Sequence, residues 1–492
     1  MKIVMVASEG VPHSKTGGLA DVVGALPKAL VELGYEVEVV LPRYRMTKPG
    51  RPLARMKSLT IPLSSSFKFC SIQDGGRIGG AQCYLVECPE FFDREDLYQE
   101  NGRDYEDNAQ RFAGFSLASL EFMKRSYTPP HIVHCHDWQS ALVPVYLRTL
   151  YQADKFFEKT SVVFTIHNLG YQGLFPPHTL PQISLHAGLF TIDALEFYGK
   201  VNLLKGGIIF SDSITTVSRK YAEEIQTHEF GCGLEGVLKS RADRLQGILN
   251  GVDYDAWNPA TDKLIPANYT PENHKGKEIC KKSLLESLGV RQPALSRPVL
   301  GIVSRFAAQK GFDLIAGIAD EMMAMDHYVV ALGTGEPVYE ELFRTLAKKY
   351  PQKFLVKVAY DNTLAHRIEA GADLFLMPSR YEPCGLNQIY SMKYGTVPVV
   401  RATGGLDDTV EPFEGSSGTG FKFSEYSPIA LLTALRQALE TYRQPKQWQR
   451  LMQNCMKKDF SWASSAKQYA KVYEGLNKAR GKARAAAEED AA

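Results

Sequence analysis

The chain has 492 residues, of which 44% are hydrophobic and 23% charged, a composition typical of globular proteins that excludes wholesale disorder. Its 57 Lys and Arg residues nearly balance 55 Asp and Glu residues, so the net charge of +2 gives no electrostatic reason to expect a nucleic acid partner. Because single domains usually hold about 100 to 200 residues, this length predicts two large domains.

Cysteine usage and the amino terminus predict a cytoplasmic protein. The eight cysteines include no Cys-x-x-Cys pair and are few for so long a chain, which favours a reducing compartment. The first apolar run has about five residues before Glu9, too few for the core of a signal peptide. No stretch approaches the ~18 apolar residues of a membrane span, so we expect no membrane partner.

The first half of the chain alternates predicted strands with predicted helices. Apolar runs at 3–7 and 37–41 flank a helical pattern at 20–33, which predicts a β-α-β opening. Further strands are expected at 132–135 and 162–166. This alternation predicts an α/β fold with a parallel sheet covered by helices.

Composition changes in the middle of the chain and again at its end. Residues 250–297 are rich in Pro, Asn, Lys and Asp, and a strand at 299–304 restarts the alternation, so the domain boundary is placed there. Strands are then predicted at 329–332, 354–358, 374–377 and 397–400. The predicted organisation is an N-terminal domain at 1–250, a C-terminal domain at 251–462, a packed helix at 463–478 and a disordered tail at 479–492.

One eight-residue segment occurs twice. The segment from Thr16 to Val23 recurs from Thr403 to Val410 with six of eight positions identical, and each copy contains a Gly-Gly pair. Each pair, Gly17-Gly18 and Gly404-Gly405, leads into an expected helix start, where free backbone N–H groups favour an anion such as a diphosphate. The alternative is a pair of ordinary turns that close β-α connections.

Lys15 stands directly before the first Gly-Gly turn, where its ammonium group can reach a phosphate. The alternative is a solvated loop lysine. The loop has neither the G-x-x-x-x-G-K-[ST] pattern of a P-loop nor the G-x-G-x-x-G pattern of a dinucleotide site, which argues against ATP hydrolysis and hydride transfer.

Polar residues follow two of the predicted strands, at the edge where open α/β sheets bind ligands. Asp137 follows His134 and His136 on one strand, and His167-Asn168 ends another. The His-x-His spacing could suggest a metal, but residues two apart on a strand also share a face in ordinary packing, and we expect no metal.

Three charged residues of the second half are candidates for binding a nucleotide sugar. Arg305 and Lys310 follow the strand that opens the second domain and can converge on one anion, with surface charge as the alternative. Glu382 lies at a strand-to-helix turn, where a carboxylate can accept hydrogen bonds from sugar hydroxyls. Asp253 and Asp255 form a D-x-D match, a metal-binding signature of another glycosyltransferase class that often occurs by chance.

Taken together, the motifs resemble those of bacterial glycogen synthases and plastid starch synthases from Met1 to about Leu476, in order and at similar spacing. The motifs that carry the resemblance are Lys15 to Val22, His136-Asp137-Trp138, Thr165 to Asn168, Asn250 to Asp253, Ser304-Arg305, Gln309-Lys310-Gly311 and Glu382 to Leu386.

The resemblance implies two Rossmann-like domains facing across a deep cleft, the GT-B architecture, with the acceptor on the N-terminal side and the donor on the C-terminal side. It implies that the helix at 463–478 packs on the N-terminal domain. It further implies transfer of glucose from ADP-glucose to the non-reducing end of an α-1,4-glucan with retention of configuration, in glycogen synthesis, with no metal and no cofactor.

Roles carried over from the family are expectations for individual residues. Lys15, Gly17 and Gly18 would meet the donor phosphates, and Arg305 with Lys310 would stabilise departing ADP. Glu382 would hold the glucose hydroxyls, His167 would lie near the anomeric carbon, and Asp137 would bind a sugar hydroxyl or order the acceptor. The remaining substrate-binding candidates are Asn168, Asn250, Tyr360 as an adenine platform, Cys384, Gly385, Leu386, Gly404 and Gly405.

Some alternatives stay open at this level. Asn387 stands where some relatives carry Thr, which bears on donor preference. The favoured mechanism is attack by the acceptor hydroxyl on the same face as the leaving phosphate, because no carboxylate nucleophile can be named. A nucleotide-sugar hydrolysing epimerase and a non-catalytic sensor are the rival functions, and a phosphorylase lacks a recognisable context for a pyridoxal phosphate lysine.

Overall fold

The computed structural model describes residues 1–53, 56, 58–126 and 128–490, without the side chains of 482–490. The chain forms two compact units. The first comprises Met1–Val217, Ala222–Gly251 and Trp462–Ala492, and the second comprises Ser218–Tyr221 and Val252–Ser461.

The first unit is built on a largely parallel sheet. Its strands, with those of two small accessory sheets, are β1 (Lys2–Val6), β2 (Glu36–Pro42), β3 (Arg51–Pro52), β4 (Leu59–Leu63), β5 (Ser66–Ile78), β6 (Ala81–Glu87), β7 (Gln99–Glu100), β8 (Arg103–Asp104), β9 (Ile132–His136), β10 (Ser161–Ile166), β11 (Leu174–Phe175), β12 (Glu196–Phe197), β13 (Lys200–Asn202), β14 (Ser213–Thr216) and β15 (Leu245–Gly247). The main sheet has the order β15-β14-β10-β9-β1-β2-β6-β5-β3, and β4 pairs with β5.

The second unit has a six-stranded parallel sheet with the order β18-β17-β16-β19-β20-β21. Its strands are β16 (Val299–Val303), β17 (Tyr328–Gly333), β18 (Phe354–Val358), β19 (Leu374–Met377), β20 (Val397–Arg401) and β21 (Phe421–Phe423).

Helices cover both sheets. They are α1 (Gly18–Glu32), α2 (Pro89–Phe92), α3 (Asn108–Lys124), α4 (Asp137–Ser140), α5 (Leu142–Arg148), α6 (Thr179–Gln182), α7 (Leu203–Phe210), α8 (Arg219–Glu224), α9 (Glu235–Lys239), α10 (Lys275–Ser287), α11 (Phe312–Gly317), α12 (Ala319–Ala324), α13 (Pro337–Lys349), α14 (Asn362–Gly371), α15 (Asn387–Lys393), α16 (Gly404–Thr409), α17 (Pro428–Tyr442), α18 (Pro445–Lys457) and α19 (Trp462–Asp490). Short 3-10 turns occupy Lys155–Phe157, Ala187–Leu189, Ala242–Arg244 and Ala308–Lys310.

The central strands are buried on both faces. Every residue of β1, β9 and β10 is buried, as expected of parallel strands between two helical layers. In the sheet, β1 lies between β2 and β9. The chain continues from β1 to β2 and β6 on one side and later from β9 to β10 on the other, so the strand order reverses between β1 and β9. Ligands of open α/β sheets bind at the carboxyl ends of strands beside such a reversal.

The second sheet has the same kind of reversal. The chain runs from β16 to β17 and β18 on one side, and from β19 to β20 and β21 on the other. The switch point therefore lies between β16 and β19, and the loops that leave these two strands define the expected ligand edge of this unit.

The first helix shows how local sequence sets the element boundaries. Helix α1 ends at Glu32 and is followed by Gly34, whose φ of 88° is left-handed. The Gly34 N–H donates to the Val31 carbonyl and the Tyr35 N–H donates to the Leu30 carbonyl, at 2.9 and 3.1 Å, which is a Schellman motif. This geometry returns the chain directly into β2.

The last helix belongs to the first unit. Its buried residues Ala466, Tyr469 and Tyr473 join the core formed by β1, β2 and α1. The Ser465 hydroxyl donates to the Leu249 carbonyl at 2.5 Å, and the Tyr35 hydroxyl donates to Glu474 at 2.7 Å.

Helix α19 differs from the sequence prediction in its length. It continues to Asp490, through residues for which the sequence predicts a disordered tail, and Ala491 and Ala492 lie outside the described residues. The residues after Lys478 are mainly Ala, Lys, Arg and Glu, which are strong helix formers. In addition, the Arg480 guanidinium donates to the Glu158 carbonyl at 2.7 Å and lies 3.6 Å from Asp212.

Candidate active site

The turn after β1 is organised by a buried carboxylate. Glu9 is 4% exposed, and it accepts hydrogen bonds from the Thr16 backbone N–H and from the Thr16 hydroxyl, the latter at 2.9 and 3.0 Å. Burial raises the pKa of Glu9, while the donors of Thr16, Gly17 and Tyr98 act in the opposite direction. Glu9 therefore occupies the first N–H groups of the turn that the sequence assigns to phosphate binding.

The residues of this turn that are predicted to contact phosphate are open to solvent. Lys15, Gly17 and Gly18 are exposed, and a Cβ atom added at either glycine would meet no neighbour within 4 Å. The Lys15 ammonium lies 2.7 Å from Asp21 on the first turn of α1. An incoming phosphate would compete with this exposed ion pair, which costs little to break because such pairs contribute little stability.

The ends of β9 and β10 bring Asp137 and His167 together. The two strands are neighbours in the sheet, with Thr165 paired to His136. The His167 backbone N–H donates to Asp137 Oδ1 at 2.7 Å. Asp137 has a φ of 55°, a left-handed conformation that is uncommon for non-glycine residues and is concentrated at functional sites.

Burial shifts the pKa values of both groups towards the neutral form. It raises the pKa of Asp137 to about 7, although backbone hydrogen bonds from His167 and Asn168 oppose this change. It lowers the pKa of His167 to about 3, so this imidazole is neutral at physiological pH. A neutral imidazole beside a carboxyl group of near-neutral pKa suits hydrogen bonding to sugar hydroxyls more than binding of an anion.

The two asparagine candidates of this unit differ in their surroundings. Asn168 is partly exposed, and its Oδ1 accepts from the Gly170 N–H at 3.0 Å, which shapes the loop after β10. Asn250 is 5% exposed, and its Oδ1 has no hydrogen-bond partner among the residues that the structure describes. Burying an unpaired carbonyl oxygen is costly, so Asn250 keeps an acceptor available.

In the second unit, Lys310 and Glu382 form an ion pair at the switch point. Lys310 follows β16 and Glu382 follows β19, and Lys310 Nζ lies 2.6 Å from Glu382 Oε2. Glu382 is 6% exposed, and the Ser379 hydroxyl donates to the same oxygen at 3.0 Å. The pair places one cation and one carboxylate where ligands of such sheets bind.

The second Gly-Gly turn packs directly against the Glu382 loop. A Cβ atom added at Gly404, whose φ is 46°, would overlap the Glu382 carbonyl oxygen, and one added at Gly405 would overlap the Cys384 carbonyl oxygen. The Gly405 N–H donates to the Glu382 carbonyl at 3.1 Å. These glycines therefore allow a close backbone approach, unlike the open pair at Gly17 and Gly18.

Gln388 holds the turn that contains Cys384, Gly385 and Leu386. This fully buried amide donates from Nε2 to the Cys384 and Gly385 carbonyl oxygens, each at 3.0 Å. Gly385 has a φ of 67°, Cys384 is buried, and Leu386 precedes α15.

Arg305 and Tyr360 follow two strands of the same sheet. Arg305 is exposed and follows β16. Tyr360 follows β18, two strands away from β16, and its side chain is 81% exposed. The Asn387 side-chain amide donates to the Val303 carbonyl at 2.7 Å, so it stabilises the end of β16.

Three residues of this region escaped the sequence analysis. Glu9, Ser379 and Gln388 hold site residues through short-range hydrogen bonds, each within a single loop or between a loop and the start of the next helix. Only Glu9 had a signal, because a carboxylate that directly follows a buried strand stands at the ligand edge of a parallel sheet. Among the described residues, no group of three or more His, Cys, Asp or Glu side chains could hold a metal ion.

Two family models match the chain. Residues 2–240 match the starch synthase catalytic domain, and residues 290–454 match the group 1 glycosyl transferases. The chain is 55% identical to the glycogen synthase of Koribacter versatilis, over 98% of this chain and 99% of that protein. The chain belongs to the glycogen synthase family.

Further relatives agree with this family. A glycogen synthase of Anaeromyxobacter sp. (strain Fw109-5) is 47% identical over 97% of this chain and 99% of its own length. The catalytic domain of starch synthase IV from Arabidopsis thaliana, solved with ADP and acarbose, superposes with a TM-score of 0.88 at 35% identity, covering 97% of this chain and 99% of that one.

The family confirms the predicted enzyme class and fold. The protein is a glycosyltransferase of GT-B architecture with two Rossmann-like domains, as the sequence motifs indicated. None of the helices in the described part of this glycogen synthase family member combines the length and the apolar character that crossing a membrane requires.

Proposed function

We propose that this glycosyltransferase transfers glucose from ADP-glucose to the non-reducing end of an α-1,4-glucan, with retention of configuration and release of ADP, in glycogen synthesis. The observation that carries the proposal is the Lys310–Glu382 ion pair at the switch point of the second sheet. The similar starch synthase IV domain, which was solved with ADP and acarbose, supports an adenine nucleotide and a glucan-like ligand for this fold.

The second unit would hold the nucleotide sugar. Arg305 is exposed on the loop after β16, and Lys310 stands at the end of the next turn, so both cations can approach a diphosphate. Their charges would offset the negative charge that builds on ADP as the glycosidic bond breaks. Tyr360, with its exposed ring, would stack on the adenine, as aromatic side chains do with bases.

Glu382 would orient the glucosyl unit through its hydroxyl groups. One of its oxygens already receives Lys310 and the Ser379 hydroxyl, which leaves the other oxygen to accept from a sugar. The turn formed by Cys384, Gly385 and Leu386, together with Gly404 and Gly405, would supply backbone contacts to the donor. Because Gln388 fixes this turn, the contacts need little reorganisation on binding.

The first unit would act on the sugar and the acceptor. Lys15 would meet a donor phosphate, with Gly17 and Gly18 leaving room for it. His167 would donate a hydrogen bond near the anomeric carbon, and Asp137 would bind a sugar hydroxyl. Asn168 and Asn250 would complete the sugar contacts, which suits the unpaired Asn250 oxygen.

The reaction would proceed on one face of the sugar. The bond between the anomeric carbon and the ADP oxygen breaks, and the acceptor 4-hydroxyl oxygen forms the new bond from the same side. Its proton passes to the departing phosphate, so no separate base is needed. In this scheme protein cations stabilise the leaving group, and the expected reaction requires neither a metal nor a cofactor.

The proposed compartment is the cytoplasm. All eight cysteines are unpaired, and seven of them are buried. Unpaired buried thiols are typical of proteins that work in a reducing environment.

Release of nucleoside diphosphate tests the proposal. The purified protein is given ADP-glucose or UDP-glucose, each with and without glycogen, and each reaction is repeated with EDTA. We expect ADP release that depends on glycogen and is unchanged by EDTA. Release without glycogen would favour a hydrolase or epimerase, release only from UDP-glucose would overturn the donor, and no release would favour a sensor.

A further inference from the structure

A second buried histidine contacts the proposed catalytic imidazole. His136 is the last residue of β9 and is 0% exposed, and its Nδ1 lies 3.0 Å from Nε2 of His167. The two rings are 5.3 Å apart between centroids. His167 is only partly buried, so His136 lies behind it, on the inner side of the sheet edge.

Both rings are neutral. Burial lowers the pKa of His136 well below its usual value, and the nearby rings of His134 and His167 lower it further. Burial likewise lowers the pKa of His167. A neutral imidazole carries one N–H donor and one lone-pair acceptor, so a hydrogen bond between two such rings has one donor and one acceptor.

The surroundings of His136 indicate which ring donates. Its Nε2 is buried and has no hydrogen-bond partner among the described residues. Buried N–H groups without an acceptor are rarer than buried acceptors without a donor. The proton of His136 is therefore favoured on Nδ1, where His167 Nε2 can accept it.

Neighbouring groups hold His136 in this orientation. The Ser140 hydroxyl accepts from the His136 N–H at 2.7 Å and donates to the His136 carbonyl at 2.8 Å. The His134 ring lies 4.1 Å from the His136 ring with an interplanar angle of 37°. Backbone and ring are thus both restrained.

His134 is itself fixed from two sides. Its Nδ1 lies 2.8 Å from the Tyr473 hydroxyl of α19, and its Nε2 lies 2.6 Å from the Thr165 hydroxyl. Thr165 in turn lies 2.6 Å from the Thr215 hydroxyl. When the Tyr473 hydroxyl donates to His134, each hydrogen bond from Tyr473 through His134 and Thr165 to Thr215 has one donor and one acceptor. Tyr473 of α19 therefore helps to hold the His134 ring, against which His136 packs.

We infer that His136 is a positioning residue that sets the tautomer of His167: the His136 Nδ1–H donates to His167 Nε2, so that the single donor of His167 is its Nδ1–H. This donor is the one His167 can offer to the glucosyl unit. The inference rests on the proposed function, because the sugar is the expected acceptor of that hydrogen bond. His136 itself does not touch the substrate.

The tautomers can be measured directly in the unmodified enzyme. Protein labelled with ¹⁵N-histidine gives separate NMR signals for protonated and unprotonated ring nitrogens, and the His136→Leu and His167→Asn variants assign the two residues. We expect Nδ1 to be protonated and Nε2 unprotonated in both rings. A protonated Nε2 on His167 overturns the inference, and this result is measured on the unmodified enzyme, with the variants serving only for assignment.

Three variants then test the consequence for turnover. His136→Leu removes the donor, whereas His136→Asn retains an N–H group near the position of Nδ1. We expect kcat/KM for ADP-glucose to fall about 10- to 100-fold in His136→Leu and to recover to within a few-fold in His136→Asn, because a hydrogen bond to a neutral buried acceptor is restored. Cys83→Ala, at a buried residue on β6 of the same sheet, is the control and should leave turnover unchanged.

The outcomes separate the two proposals. Normal kcat/KM in a folded His136→Leu protein would overturn the positioning role, while glycogen-dependent ADP release by the unmodified enzyme would still support the proposed function. If the unmodified enzyme released no ADP, the proposed function would fail, and the NMR signals of His136 and His167 would still decide between the two tautomers.

Discussion

Lys310 and Glu382 are 72 residues apart in the chain, yet their charged atoms lie 2.6 Å apart between the loops that leave β16 and β19. Glu382 is largely buried and Lys310 is 19% exposed at its side chain. The Ser379 hydroxyl completes the contacts of the shared carboxylate oxygen. In the proposed function this pair would link a cation that stabilises the leaving group to a carboxylate that binds the sugar, and we expect the two residues to act as a unit.

A double-mutant cycle tests that coupling. Lys310→Met and Glu382→Gln should each lower kcat/KM by at least ~10²-fold, because each removes a positioned charge and leaves its partner unpaired. The double variant should lose less than the product of the single losses, since the partner is no longer stranded. Steady-state kinetics with ADP-glucose and glycogen measures all four proteins.

Lys357→Met provides the control for this cycle. Lys357 pairs with Asp361 at 2.7 Å on the surface of the same unit, and its side chain is 49% exposed. Its loss should change turnover little, because exposed ion pairs contribute little. Strictly multiplicative losses in the Lys310 and Glu382 variants would contradict the coupling.

Glu9 should influence donor binding without touching the donor. Glu9→Gln keeps one acceptor oxygen but removes the carboxylate charge, so the bonds that hold Thr16 and the turn that carries Lys15 become weaker. We expect kcat/KM for ADP-glucose to fall by at least ~10-fold, in line with the loss of a charge-assisted hydrogen bond. Glu32→Gln, on an exposed residue at the end of α1, is the control, and equal kinetics in both variants would remove Glu9 from the site.

Asp137 should lower the free energy of unfolding at neutral and alkaline pH. Because its pKa rises from 3.8 to about 7 on folding, the folded state holds a proton that the unfolded state loses between these values. Stability from this group is therefore present below about pH 4 and is lost as the pH rises to 7. Asp137→Asn keeps an oxygen to accept from the His167 N–H and lacks this loss.

The expected result is a variant that is more stable at pH 8 but less active. Thermal unfolding at pH 5 and pH 8 should show a smaller loss of stability across this range for Asp137→Asn than for the unmodified protein. Its turnover should be lower because a sugar contact is altered. An equal pH dependence of stability in the two proteins would show that Asp137 titrates normally.

His327 should make the second unit sensitive to acid. The side chain is 1% exposed, and burial, with the Lys353 charge as a smaller contribution, lowers its pKa from 6.5 to about 4. Between about pH 6.5 and pH 4, the unfolded state therefore binds a proton on His327 that the folded state does not bind. Stability is full above pH 6.5 and falls as the pH drops towards 4, by about 3 kcal/mol in total.

Replacing this imidazole should remove that pH dependence. The urea midpoint of His327→Leu should fall less between pH 7.5 and pH 5 than that of the unmodified protein. His228→Leu, with a side chain that is 99% exposed, is the control and should follow the unmodified protein. A His327→Leu profile parallel to the unmodified one would show that the buried ring gains a proton without penalty.

The sequence by itself determined the family, the enzyme class and the two Rossmann-like domains. Apolar runs that alternate with helical periodicity specify a parallel α/β sheet, because both patterns are local and report which faces are buried. Motifs directly after such runs must lie at the carboxyl edge of the sheet, as Asp137, His167 and Glu382 do. Lys15 and the two Gly-Gly turns were found for the same reason.

Tertiary structure alone decided which of these groups touch. The Lys310–Glu382 pair and the His136–His167 bond each join loops or strands that are distant in sequence. Their partners follow from strand order and register, which long-range packing sets and local patterns do not contain. The hydrogen bond from the Thr16 N–H to Glu9 also escaped prediction. A hydrogen-bond partner depends on how a loop folds back, whereas the spacing of motifs can be read directly from the sequence.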